Sequence, residues 1–106
     1  MAYDRVITAC DRAATAVATT PAGWRAVFHD ETVRAQSILI ELMSVLQTEH
    51  ADADVAEMSR QLAALYRFTI DQLVRANVEK KAKHLGPARS TIEGLRDAWV
   101  VGVLGQ

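Results

Sequence analysis

The apolar residues of this chain recur every three or four positions, the period of an α-helix, and nowhere sustain the alternation of a half-buried strand. Tyr3, Val6, Ile7, Cys10, Ala13, Ala14 and Val17 form a first stripe, ended by the turn-forming run Thr19-Thr20-Pro21-Ala22-Gly23. A second stripe holds Trp24, Val27, Phe28, Ala35, Ile38, Leu39, Leu42, Val45 and Leu46. It fades at His50-Ala51-Asp52, where Asp52 or Asp54 is placed to cap the next helix. Val55, Met58, Leu62, Leu65, Tyr66, Thr69, Leu73 and Ala76 make the third. After Asn77 a polar stretch over 79–84 leads to Leu85, Ala88, Ile92, Leu95 and Trp99. The spacing predicts helices over about 2–18, 22–49, 54–78 and 82–102 within one domain spanning 1–106. Short connections force neighbouring helices antiparallel, and the middle two, at about 25 residues each, reach roughly 37 Å. The expected fold is all-α, an elongated antiparallel up-down four-helix bundle. Gly86-Pro87 predicts either a kink or a fourth helix that starts at Pro87.

A bundle helix needs an apolar arc of only about 100° toward its core. With helix two's core face centred on Leu42, Ala35, Leu46 and Trp24, its opposite face holds Val33, Gln36, Ser37, Ile40, Met43, Ser44 and Gln47. That face has no charged residue; Asp30, Arg34 and Glu41 lie along one flank. On helix three Arg60, Arg67, Asp71 and Arg75 mark a wet side. Ile70 and Val74 nevertheless widen the apolar arc on one flank and Phe68 on the other. Two readings stand: further helical segments of the same chain cover these faces or a few apolar residues are simply exposed, or else the faces form a groove for an amphipathic partner helix, with Met43 an adaptable contact. The candidate groove residues are Val33, Gln36, Ile40 and Met43 with Ile70, Val74 and Asn77. Asn77 equally suits the C-cap of helix three. Tyr66 and Trp99 read as core aromatics with satisfied polar tips.

Composition narrows the class. Of 106 residues, 50% are apolar and 24% charged, a globular balance that excludes a disordered tail or a disulfide-stapled mini-protein. Twelve basic residues against thirteen acidic leave a net charge of −1, without the basic surplus of a phosphate-binding surface, so no nucleic-acid partner is expected. The basic run Lys80, Lys81, Lys83 and Arg89 reads as a solvated loop. Charges at Asp4, Arg5, Asp11 and Arg12 interrupt any leader-like stretch, and no apolar run is long enough to cross a bilayer. Cys10, the single cysteine, lies on the core stripe and suits a reducing compartment; a cytoplasmic location follows.

Chemistry is hard to find. The residues three before His29, His50 and His84 are Ala26, Gln47 and Lys81, so the Glu-x-x-His of di-iron bundles is missing, and no metal or cofactor is expected. There is no Gly-rich phosphate loop and no Gly-x-Ser-x-Gly elbow; the chain does not read as an enzyme. His84-Leu85-Gly86 faintly echoes a histidine phosphotransfer domain, which is the alternative function on a small helical bundle.

Against this background Arg34-Ala35-Gln36-Ser37-Ile38-Leu39-Ile40-Glu41-Leu42-Met43 resembles the Lys/Arg-Ala-Gln-x-Ile-Ile-x-Glu-Leu segment of the flagellar secretion chaperone family, FliS. Leu62-Ala63-Ala64-Leu65-Tyr66-Arg67-Phe68, Leu73, Ala76-Asn77 and Leu95-Arg96-Asp97-Ala98-Trp99 follow in the family's order, and Tyr3-Asp4 resembles the start of its first bundle helix. The resemblance implies an antiparallel bundle that binds the disordered C-terminal segment of flagellin in apolar grooves. It prevents premature polymerisation and aids delivery to the flagellar type III export gate. A regulator on the same scaffold with a non-flagellin client is the nearer alternative. Family members carry an N-terminal segment, with a tyrosine and a Ser-Pro start to helix one, that lies over the client groove; here the likeness begins almost at Tyr3-Asp4. The apolar end Val100-Val101-Gly102-Val103-Leu104-Gly105 departs from the pattern too, and is expected to fold back onto a groove or pair two copies as a homodimer.

Overall fold

Helical periodicity and turn chemistry become four helices: α1 (Ala2–Thr19), α2 (Trp24–Ser44), α3 (Ala53–Glu79) and α4 (Leu85–Leu104), the last preceded by a 3₁₀ turn, Ala82–His84. The computed structural model of the chain describes the backbone of residues 2–104 and the side chains of residues 2–99. No strand occurs among the described residues. Each helix packs against its sequence neighbours and α1 against α4, giving an antiparallel ring of extents 51 × 28 × 19 Å.

The helix ends follow local chemistry. Gly23, at φ +77, takes the left-handed conformation that turns the chain into α2. Asp52 caps α3, its Oδ1 accepting from the Asp54 N–H at 2.9 Å. The C-cap of α3 is Lys80 at φ 54, not Asn77, which lies one turn inside the helix. Pro87 sits in the first turn of α4, where a backbone N–H has no intrahelical partner to lose; the helix starts at Leu85 rather than at the proline. α2 ends at Ser44, well before the expected 49, because residues 45–52 leave the helix as a loop. In that loop the Gln47 N–H donates to Ser59 Oγ (3.2 Å) and Arg60 donates to the Thr48 carbonyl (2.8 Å).

The core is layered from Val6, Cys10 and Ala13 of α1, Phe28, Ala35 and Leu39 of α2, Tyr66 and Leu73 of α3, and Leu85, Ala88 and Ile92 of α4. Alanines at 13, 35, 76 and 88 are fully buried and let the helices approach closely. α2 is rotated from the expected wheel: Phe28, Thr32, Ala35 and Leu39 point inward, while Trp24 and Leu42 are half-buried, as is Leu46 in the loop beyond the helix. Buried hydroxyls are satisfied within their own helices, Thr32 donating to the His29 carbonyl and Thr69 to that of Leu65. The Tyr3 and Tyr66 hydroxyls meet at 2.6 Å across the diagonal between α1 and α3. Burial, and then the bond to Tyr3, pushes the Tyr66 phenol above its usual range. Burial likewise raises the Cys10 thiol to about 11.

Charge fixes the α1–α4 register. Asp4 pairs with Arg96 at 3.0 Å and Asp11 with Arg89 at 2.7 Å, two rungs seven residues apart on each helix. Arg89 also bonds Glu93, so this member of the expected basic loop is an ion-paired helix residue. Exposed pairs of this kind contribute at most about 1 kcal/mol each, but a one-turn slip would break both together.

Candidate functional surfaces

Two apolar surfaces flank α3. The first is the outer face of the α2–α3 seam. His29 Nδ1 and Asn77 Nδ2 lie 3.0 Å apart near one end, and Gln47 reaches Ser59 near the other. This antiparallel register brings Gln36 level with Ile70 and Val33 level with Val74. At 100° per residue, Gln36 and Met43 sit beside the inward face of α2, with Val33 and Ile40 further round. Ile70 and Asn77 stand in the same relation to α3, with Val74 beyond them. Gln36, Met43, Ile70 and Asn77 are accordingly half-buried, and Val33, Ile40 and Val74 are exposed, Ile40 at 56%. By this register and wheel geometry the seven sequence-selected residues lie along one face of the two-helix layer, where Arg67 is also exposed. Asn77 is further tied to Lys80, whose ammonium donates to both its carbonyl and its side-chain oxygen.

The second surface is a cleft between the start of α3 and the end of α4. A cavity of about 360 Å³ lies among Met58, Leu62, Leu95, Ala98, Trp99 and Tyr3. A neighbouring one of about 210 Å³ is bounded by Ala2, Tyr3, Leu42 and Trp99. Met58 is 64% exposed and Trp99 56%, with Leu65 and Phe68 continuing the apolar surface along α3. The expectation of Trp99 as a core aromatic is therefore wrong, whereas Tyr66 is buried. Sequence reasoning also placed Met58 and Leu65 in the core stripe. The inward face of this part of α3 carries only Ala56, Ser59 and Ala63, so the helix packs through small residues and its larger side chains stay outside. That small-residue spacing was the available signal.

The histidines are engaged. His84 has Nε2 2.5 Å from Glu79 and Nδ1 3.3 Å from Gln72, so neither ring nitrogen stands open to a phosphoryl donor. The bond to His84 is the main reason the Glu79 carboxyl is held below its ordinary range. His50 Nδ1 accepts from the Asp52 N–H. Among the described residues no group of three or more His, Cys, Asp or Glu is arranged to hold a metal ion, and no helix is long and apolar enough to cross a membrane.

An up-down helical bundle with uncovered apolar faces on both sides of one long helix is a scaffold for docking other polypeptides. The sequence matches the family model described as flagellar protein FliS over residues 1–103. The chain belongs to that family, whose members are flagellar export chaperones. A comparison with curated proteins returns no significant match.

Proposed function

We propose that this protein holds the disordered C-terminal segment of flagellin in the cytoplasm, keeping it from polymerising before export through the flagellar type III gate. The observation that supports the reading is the uncovered apolar surface beside α3: Val33, Ile40 and Val74 on one side, Met58 and Trp99 on the other. Isolated exposed apolar residues are ordinary, but two contiguous surfaces on a chain of this family suit a guest that folds as it binds. The guest's apolar side chains would cover the strip formed by Val33, Gln36, Ile40, Met43, Ile70, Val74 and Asn77. Burial of that surface offsets the entropy of ordering the segment. The action is steric: an occupied segment is unavailable for polymerisation, and no chemical step is required.

The test is calorimetric titration with a peptide from the C-terminus of the same organism's flagellin. Saturable binding with a negative heat-capacity change is expected. No binding, with capture of a different flagellar protein instead, would favour the regulator with a non-flagellin client. The proposed role of the C-terminal tail in self-capping or homodimer formation concerns side chains outside the described residues. Deleting residues 100–106 should raise client affinity or abolish dimers.

A further inference from the structure

The face of the bundle away from α3 carries a different feature, a furrow between α1 and α2. Its wider part, about 440 Å³, lies among Thr8, Thr15 and Thr19 of α1 and Val27 of α2. A second part of about 290 Å³ continues toward Arg5 and Arg34. Thr8, Arg12 and Glu31 line both.

Glu31 occupies an inward position on α2 and is only 8% exposed. Its Oε2 is buried and has no hydrogen-bond partner, the sole such side-chain atom among the described residues. Its Oε1 only approaches Arg34, at 4.0 Å. A buried carboxylate oxygen left unpaired is costly, and native proteins rarely keep one without a use. The surrounding charges are also incompletely matched. Asp4 and Asp11 are taken up by Arg96 and Arg89 of α4. Arg5 and Arg12, on the furrow side of α1, have no ion-pair partner among the described residues. The furrow thus offers one sunken acceptor and two uncommitted guanidinium groups at its rim.

We propose that the α1–α2 furrow is a second contact surface for the polypeptide client and takes a mixed-charge stretch. A basic side chain of that stretch pairs with Glu31, and an acidic one answers Arg5 or Arg12. A purely cationic guest would be repelled by the rim arginines, and a purely anionic one by Glu31; opposite charges close together on one segment satisfy both. This inference rests on the flagellin reading above.

The test is titration of the full chain and its Glu31→Gln variant with the flagellin C-terminal peptide. It is repeated with peptides whose arginines are replaced singly by citrulline and lysines by norleucine. Asp30→Asn, at the adjacent exposed position, controls for the change in net charge. Glu31→Gln should weaken binding roughly tenfold or more while leaving the melting temperature unchanged or higher, and Asp30→Asn should leave binding near wild type. One basic substitution in the peptide should cause a similar loss that does not add to that of Glu31→Gln. Wild-type binding that Glu31→Gln leaves intact would overturn the furrow alone, and so would a loss that couples to no basic residue of the peptide. Absence of wild-type binding would remove the flagellin reading and the furrow's role together.

Discussion

Replacing Ile40 by aspartate separates binding from folding. Ile40 is 56% exposed on the α2–α3 strip, so about half of its side chain is free to be covered by a guest. Full burial of an isoleucine stabilises by roughly 1.5–3 kcal/mol, and the uncovered part is therefore worth about 1–1.5 kcal/mol. A carboxylate pressed against apolar guest surface adds a desolvation cost of at least about 1 kcal/mol. Ile40→Asp should thus weaken the flagellin peptide by about 2–3 kcal/mol, roughly 30- to 150-fold by the tenfold-per-1.4 kcal/mol conversion. The fold should lose under about 2 kcal/mol, the sum of a lower helix propensity and the partial packing Ile40 already has. Calorimetric titration gives the first quantity and urea unfolding followed by circular dichroism the second. Wild-type affinity in a folded Ile40→Asp protein would show that the strip is not where the guest lies. An unfolded variant would show that Ile40 supports the core and that the seam register derived above is wrong.

Other outcomes follow from the core and its ionisable groups. Leu39→Ala empties a fully buried position and should lower stability by about 2–5 kcal/mol, read as a drop in the urea midpoint. Cys10 remains a neutral thiol in the folded state to about pH 11, whereas the unfolded chain releases its proton near pH 9.0. Stability should therefore fall as pH rises through that window, by about 2–3 kcal/mol in all, and Cys10→Ala should flatten this limb of a pH-dependent unfolding curve. Glu79, held below its ordinary carboxyl range chiefly by His84, contributes stability that is lost as pH falls through its lowered value; Glu79→Gln should blunt that acid loss in thermal melts. Met58→Asp on the second cleft, compared with Ile40→Asp by titration, shows whether the client uses one side of α3 or both; equal losses indicate both.

The helices were legible because they rest on repeated, local signals: apolar spacing, the Asp52 cap, the turn at Gly23; the family was legible only through its resembling segments, 34–43, 62–68 and 95–99, taken in order. The orientation of α2 was harder to read. Its inward face includes Thr32 and Glu31, which no apolar pattern selects, while Trp24, Leu42 and Leu46 look like core and are only half-buried. Val33 and Ile40 keep their mutual spacing on α2 whichever way its wheel is turned, but their nearness to Val74 of α3 depends on the register marked by the His29–Asn77 and Gln47–Ser59 contacts, which the sequence pattern does not contain. Trp99 was misplaced for a tertiary reason: an aromatic at helical spacing is buried only where its neighbours close over it, and here Trp99, Met58, Leu62 and Leu95 border an open cleft of about 360 Å³ instead of filling it. The early end of α2 depends on contacts to Ser59 and Arg60, twelve residues away in sequence. A window along the chain does not contain them.

The early stop of α2 gives the bundle unequal ends. Where α3 runs past Ser44 it leans on a loop and on alanines, while around Leu73 and Ile92 it is gripped by large side chains. Amide protons over residues 53–62 should therefore exchange with solvent well before those around 66–76, as a local opening that leaves the rest intact. A guest wedged beside Trp99 would splint the softer end, so that loading would register as rigidity in a part of the chaperone that is otherwise free to breathe.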